Sequence, residues 1–120
     1  MKGSKMRKNK IYWASHHDLY PEQIDAINSV HGKLDIIHER VVFRDPLGLS
    51  TYIDNRQDGY VYAVAGGIHY LFAQQEGREF FIFETHPDKI AFRSIFKVSD
   101  GTITKVWGAR ENEEAFSVKT

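Results

Sequence analysis

The stretch that decides the fold class is Tyr60-Val61-Tyr62-Ala63-Val64-Ala65, which runs directly into Gly66-Gly67. Its six residues are apolar or aromatic, with no charged residue among them. A short continuous run of this kind predicts a strand buried on both faces, as in a parallel sheet. Gly66-Gly67 predicts a tight turn, and the apolar spacing beyond it predicts a helix that ends near Gly77.

Strands and helices alternate on both sides of this stretch. The predicted elements are strands at Ile11–Ala14, Leu34–Phe43 and Glu79–Glu84, helices over residues 21–31 and 49–57, and a hairpin of Phe92–Val98 and Thr102–Trp107 around Asp100-Gly101. The helix from Pro21 stops at Gly32, Pro46 and Gly48 break the second strand, and Asp58-Gly59 ends the second helix.

This order predicts right-handed crossovers between parallel strands. The expected fold class is therefore α/β: a small Rossmann-like, mostly parallel sheet flanked by helices, with a C-terminal antiparallel β-hairpin. The alternative is an α+β fold in which the strand at Leu34–Phe43 pairs antiparallel with a neighbour.

The chain has 120 residues, which suits one domain, and its 42% hydrophobic residues are enough to form a core. We assign residues 11–110 to that domain, residues 1–10 to a basic flexible arm and residues 111–120 to a weakly specified tail. Five of the 16 basic residues lie in the arm, against no acidic one, which leaves 11 basic and 16 acidic residues in the rest of the chain. A body this acidic argues against general binding of duplex DNA.

The composition also excludes several kinds of site. The chain has no cysteine, which removes disulfides, thiolate nucleophiles and cysteine-bound zinc. No apolar run is long enough to cross a membrane and no signal peptide is visible, so a cytoplasmic location is expected. There is no Gly-x-Ser-x-Gly motif for a serine hydrolase, and no pair of histidines four residues apart for a metal. We therefore expect neither a metal nor another cofactor.

The candidate site lies where predicted parallel strands end, because ligands of such sheets bind outside the carboxyl ends of the strands. Three segments leave strands there, Ser15-His16-His17, Gly66-Gly67-Ile68-His69 and Thr85-His86, and they contain four of the six histidines. We expect all three on one edge of the sheet. Histidine titrates near neutral pH and is the commonest general acid or base.

Each candidate residue has a functional and a structural interpretation. In the functional interpretation, His16 and His17 transfer protons and Ser15 contacts a phosphate. In the structural interpretation, Ser15 caps the turn and both histidines are merely exposed. Gly66-Gly67, with the amide of Ile68, suits a phosphate cradle or a simple tight turn.

Further polar side chains near strand ends also have a functional or a structural interpretation. His69 and His86 are candidates for ligand contact. Arg44 suits phosphate binding through its planar guanidinium, or a surface ion pair. His31 and His38 are expected to be structural.

Part of this pattern resembles a known family. The strand Ile11–Ala14 with Ser15-His16-His17, the later Ile37-His38 and the strand–turn–helix segment Val61–Phe72 are similar to the small Rossmann-like ring nucleases of type III CRISPR systems. The resemblance covers residues 10–87. It departs from the family's pattern at His16, which replaces an arginine, at Asp18, which replaces a proline, and at Gly66-Gly67, which replaces a Leu-Pro-like turn. Phage proteins that counter nucleotide-signalled antiviral defence look similar at this level.

The resemblance implies a homodimer that binds a cyclic oligonucleotide, of the cyclic oligoadenylate type, and cleaves it without metal. In that mechanism a ribose 2′-hydroxyl attacks the adjacent phosphate, with His16 or His17 assisting proton transfer. Two alternatives stay open: a non-catalytic nucleotide-binding protein that sequesters the signal, and a protein-binding inhibitor module.

Overall fold

Six strands and two helices make up the described part of the chain. The computed structural model describes residues 7–64, 75, 77–85, 92–100 and 102–108. The strands are β1 (Lys10–Ala14), β2 (Asp35–Glu39), β3 (Gly59–Val64), β4 (Glu79–Thr85), β5 (Phe92–Ser99) and β6 (Thr102–Gly108), and the helices are α1 (Pro21–His31) and α2 (Pro46–Asp54).

All six strands join one mixed sheet in the order β2-β1-β3-β4-β5-β6. β1 pairs in parallel with both β2 and β3, and β3 pairs in parallel with β4. The pairings β4–β5 and β5–β6 are antiparallel. The α/β class and the C-terminal hairpin are thus confirmed, and the parallel pairing of β2 excludes the α+β alternative.

The sheet carries an apolar core on each face. Alternation along β1 directs Ile11 and Trp13 to the face with α1, where Ala26 and Ile27 are buried, and it directs Ala14 to the other face. There α2 buries Leu49 and Ile53 against the sheet. In β3, Val61, Tyr62 and Ala63 are all buried, as expected for a strand with a helix on each face.

α1 has the ends that its sequence predicts. Pro21 occupies the first turn, and Gln23 accepts a hydrogen bond from the amide of Tyr20 at 2.9 Å. Gly32 ends the helix at φ +83°, a backbone conformation that favours glycine. In the hairpin, Asp100 takes φ +52° between β5 and β6, in agreement with the predicted tight turn.

The predicted ends of the second strand and second helix are wrong. β2 ends at Glu39 and not at Phe43, because β1, the one strand paired with it among the described residues, ends at Ala14, which is paired with Glu39. Beyond it, Val41 and Phe43 are half-buried against the α2 face without forming a strand.

α2 begins at Pro46, which was expected only to break the strand. The carboxylate of Asp45 accepts a hydrogen bond from the amide of Gly48 at 2.8 Å, so it caps the helix, and a proline is well tolerated in its first turn. The helix ends at Asp54, earlier than predicted. Gly59 does not end it but begins β3, where the ring of Tyr12 leaves no room for a Cβ.

The last residues of the predicted N-terminal arm belong to the sheet: the amide of Asn9 donates to the carbonyl of Asp58 at 2.9 Å, and Lys10, the first residue of β1, forms an ion pair with Asp58 at 3.0 Å. The helix predicted after Gly66-Gly67, residues 1–6 of the arm and the tail 111–120 lie outside the described residues.

Candidate functional site

The carboxyl end of β1 lies where the strand order reverses. β1 has β2 on one side and β3 on the other, and the chain reaches these neighbours through α1 and α2, which cover opposite faces of the sheet. In open α/β sheets such a reversal leaves a crevice outside the carboxyl ends of the strands, and ligands bind there. Ser15-His16-His17 follows β1 at this position.

Ser15 holds the turn that leaves β1. Its side-chain oxygen accepts a hydrogen bond from the amide of His17 at 3.1 Å, and its own amide donates to the carbonyl of Glu39 at 3.1 Å. The indole of Trp13 donates to the carbonyl of His17 at 2.7 Å. The buried Ser15 therefore fixes the backbone of residues 15–17, in agreement with the capping interpretation, and its hydroxyl hydrogen remains as a donor.

The end of β2 supports the same turn from the other side. Nε2 of His38 lies 2.8 Å from the carbonyl of Ser15 and must carry the proton, because a carbonyl only accepts. Arg40 donates to the carbonyl of His16 and to the carboxylate of Asp18, both at 2.6 Å. The hydrogen bond from Arg40 lowers the pKa of Asp18 below its usual range.

His16 and His17 are exposed beyond this fixed backbone. Within the described residues, neither imidazole has a hydrogen-bond or ion-pair partner. Both are thus accessible to a ligand in the crevice, and a neutral imidazole can accept a proton while an imidazolium donates one. The nearby carboxylate of Asp18 is bound by Arg40 and orients neither ring.

The structure brings together only part of the predicted site. The candidates Gly66, Gly67, Ile68, His69 and His86 lie outside the described residues, so the expected shared edge stays a prediction. Arg44 is exposed and lines a separate groove against α2 that includes none of residues 15–17.

The sequence analysis does not predict that Arg40 and Asp18 hold the turn after β1, and it predicts a structural role for His38 without naming its partner. The error followed from placing the end of β2 at Phe43, which made Arg44 the first polar residue after the strand. The true end at Glu39 places Arg40 beside the turn after β1. The polar series His38-Glu39-Arg40 was the available signal, because it interrupts the apolar pattern of the strand.

His31 is structural, as expected. Its ring stacks on Tyr60 with centroids 4.0 Å apart, meets Phe81 edge-on at 4.8 Å, and its Nε2 lies 2.7 Å from the hydroxyl of the fully buried Tyr62. Burial lowers the pKa of His31 to about 4, which keeps it neutral at physiological pH. Burial also raises the pKa of Tyr62.

Two surface cavities formed by described residues lie away from the turn after β1. The larger, of about 780 Å³, is lined by Lys8, Ile53, Asp54, Gln57, Tyr60, Gly77, Arg78 and Glu79. Tyr60 and Glu79 stand at the starts of β3 and β4, so this cavity is at the opposite end of the sheet from the candidate site. Its acidic Asp54 is bound by Arg78 at 2.8 Å.

No protein-family model, curated protein or solved structure matches the chain. In the described ranges, no three or more histidine, aspartate or glutamate side chains come together as a metal site. No helix of the described part is long and apolar enough to cross a membrane.

Proposed function

We propose that the protein binds a cyclic oligonucleotide of the cyclic oligoadenylate type, in a Rossmann-like arrangement, and cleaves it as a metal-independent ring nuclease. One observation carries the proposal: two exposed histidines, His16 and His17, follow β1 at the reversal of strand order, on a backbone held by Ser15, His38 and Arg40. A ligand-binding crevice is expected there, and imidazoles are suited to proton transfer on a phosphodiester.

The proposed reaction needs no protein nucleophile. A ribose 2′-oxygen bonds to the adjacent phosphorus as the bond from phosphorus to the 5′-oxygen breaks, which leaves a 2′,3′-cyclic phosphate and a 5′-hydroxyl. One imidazole accepts the 2′-hydroxyl proton, and an imidazolium donates a proton to the departing 5′-oxygen. Positioning of the 2′-oxygen in line with the leaving group supplies much of the rate enhancement.

The phosphate contacts of this reaction are assigned from sequence. Ser15 is the described candidate, through its hydroxyl hydrogen, and the amides of Gly67 and Ile68 would hold the non-bridging oxygens. A ring-shaped ligand contacts two copies of the crevice best when they are related by a two-fold axis, so we also propose a homodimer in the cytoplasm. Light scattering that gives the mass of a single chain, 13.9 kDa, with ligand bound would contradict the homodimer.

A second function has its own support. A general-base histidine is usually oriented by a further group, and among the described residues no carboxylate contacts the imidazole of His16 or His17. This geometry favours a protein that binds the cyclic nucleotide and sequesters it without cleavage.

The two functions are separated by incubating the protein with cyclic tetra-adenylate or hexa-adenylate in EDTA and analysing the denatured mixture by chromatography. Linear products with cyclic phosphate ends support the ring nuclease. Intact ligand that the native protein retains and heat releases supports sequestration. Intact ligand that the native protein does not retain contradicts both.

A further inference from the structure

β6 is an outer strand of the sheet and is open along its free edge. Among the described residues its one strand neighbour is β5, so the backbone groups on its other side have no strand to pair with. The five consecutive residues Thr102–Val106 are all exposed. Since consecutive side chains of a strand point to opposite faces, both faces of this part of β6 are open to solvent as well as its edge. β2, at the other edge of the sheet, is more covered, with three of its five residues half-buried.

The composition of β6 favours pairing with a further strand. Four of the five residues Thr102–Val106 are β-branched, which suits a strand, and Ile103 and Val106 are 45% and 37% exposed. Soluble proteins usually protect a sheet edge with charges, prolines or bulges. In β6 that protection is confined to one end, because Lys105 is its one charged residue and Val106 forms a bulge that has no counterpart in β5. Thr102–Thr104 therefore remains available as a pairing edge.

Ile103 brings the core of the α2 face to this edge. In the hairpin it is paired with Val98, which is buried in the core on that face. Directly opposed residues of neighbouring strands point to the same face, so Ile103 continues the apolar row to which Val98 belongs. Among the described residues the row ends at Ile103. An apolar side chain placed opposite Ile103 would extend the row and remove the exposed isoleucine from water.

We propose that β6 pairs antiparallel with β6 of a second copy of this chain, about a two-fold axis at Ile103. Ile103 then lies opposite Ile103 of the second copy, and the apolar row continues to Val98 of that copy. Thr102 lies opposite Thr104 of the second copy, and pairs of threonines across strands are favourable. The two sheets become one continuous sheet of twice the width.

The charges and the possible registers favour a second copy as the partner. With the axis at Ile103, Lys105 of each copy comes beside the other copy's turn between β5 and β6, which carries the exposed, acidic Asp100. An axis at Thr104 would place Lys105 opposite Ile103, and an axis at Lys105 would place two lysines opposite each other, which is unfavourable. β6 thus matches itself best in one register. Pairing of one surface with itself about a two-fold axis is also the commonest form of oligomer.

This interface is separate from the proposed nucleotide site. β3, β4 and β5 lie between β1 and β6 in the sheet. A two-fold axis between antiparallel β6 strands makes the β1 strands of the two copies run in opposite directions. The two turns after β1 therefore lie at opposite ends of the joined sheet, where one ring-shaped ligand does not reach both. The β6 interface forms without nucleotide and does not depend on the proposed nuclease.

Sedimentation equilibrium of the intact protein, without nucleotide and over the micromolar concentration range, tests the second copy as the partner. We expect the mass to rise with concentration from the 13.9 kDa of a single chain toward twice that value. Ile103→Lys places two like charges opposite each other and should raise the dissociation constant of the dimer by about 10-fold or more. Val42→Lys makes the same kind of change at an exposed residue outside β6 and should alter it by less than about 2-fold. Circular dichroism verifies that both variants are folded.

Cysteine cross-linking tests the register, because the chain has no cysteine of its own. Under mild oxidation Ile103→Cys should form a covalent dimer, since the two cysteines lie opposite each other at the axis. Lys105→Cys should not, because its two sulfurs are four residues apart along the paired strands, about 14 Å. A mass of a single chain at every concentration would overturn the proposal and exclude a second copy from this edge. Equal dimerisation of Ile103→Lys and Val42→Lys, or cross-linking of Lys105→Cys as fast as that of Ile103→Cys, would also overturn it.

Discussion

The histidines after β1 and the histidine at the end of α1 occupy opposite environments. His16 and His17 are exposed on a turn whose backbone is held by Ser15, His38 and Arg40. His31 lies against aromatic rings, and burial lowers its pKa to about 4. The same imidazole is therefore open to solvent and to a ligand in one place and a neutral packing group in the other, because burial disfavours the charged form.

The largest expected effect is on the cleavage rate and concerns the exposed histidines, His16 and His17. Replacing His16 and His17 together with alanine should lower the rate of cleavage of cyclic tetra-adenylate or hexa-adenylate by about 10²–10⁴-fold, the usual contribution of a positioned acid or base. Binding of the ligand should persist, since the backbone of the turn is held by other residues. Single-turnover chromatography measures the rate and filter binding measures the affinity. Ser29→Ala, on the exposed surface of α1, is the control, and unchanged cleavage by the double variant would remove both histidines from the mechanism.

The next largest effect concerns His31 and the dependence of the free energy of unfolding on pH. The unfolded chain protonates His31 near pH 6.5 and the folded chain only near pH 4, so the unfolded state takes up more protons between these values. Stability should therefore be constant above about pH 6.5 and fall as pH decreases toward 4, by at most about 3 kcal/mol. Urea titrations from about pH 7.5 to pH 4.5 measure this fall and avoid most of the carboxylate titration.

Two variants identify the histidine that causes this pH dependence. His31→Leu should flatten the dependence whatever its effect on stability at neutral pH, and Ser29→Ala, which changes an exposed side chain without a titratable group, should leave it unchanged. The same slope in His31→Leu as in the parent protein would assign the pH dependence to other groups.

A smaller effect tests the bond between His31 and Tyr62. Tyr62→Phe removes the hydroxyl that lies 2.7 Å from Nε2 of His31 and leaves that partly buried nitrogen without this hydrogen-bond partner. The free energy of unfolding should fall by about 1–2 kcal/mol. Tyr20→Phe, on an exposed ring, is the matched control and should change it by less than about 0.5 kcal/mol. A similar loss in both variants would show that the bond is not important for stability.

The smallest effect concerns the support of the exposed turn. Arg40→Ala removes the ion pair with Asp18, whose side chain is mostly exposed, so the free energy of unfolding should fall only slightly. The pKa of the Asp18 carboxyl should return toward its ordinary value, which NMR titration measures directly. A double-mutant cycle with Asp18→Asn isolates the pair. A coupling energy of zero together with an unchanged Asp18 pKa would mean that Arg40 does not hold the turn in solution.

Much of the architecture was predictable because it depends on local patterns. The apolar run at Tyr60–Ala65 indicated a strand buried on both faces, and Pro21 and Gly32 indicated the ends of α1. The Asp100-Gly101 signal placed the hairpin correctly. Burial periodicity, proline in the first turn and glycine after a helix act through neighbouring residues, so they can be recognised without the tertiary structure.

The ends of β2 and α2 were not predictable in this way. Val41 and Phe43 have the composition of a strand, but a strand continues only where a neighbour pairs with it, and β1 ends at Ala14. A proline such as Pro46 is compatible both with the end of a strand and with the first turn of a helix. The carboxylate of Asp45 caps the helix and so stabilises the second outcome. Both outcomes depend on which groups come together in space.

By itself, the sequence determined which residues can perform chemistry: six histidines, no cysteine, and polar segments after its apolar runs. The tertiary structure alone decided which of them meet. Parallel pairing of β1 with β2 brings His38 and Arg40 to the turn after β1, although they are more than twenty residues away in sequence. Packing of α1 on the sheet partly buries His31 against aromatic rings and leaves His16 and His17 in solvent, because burial and charge depend on the surroundings of a side chain and not on its identity.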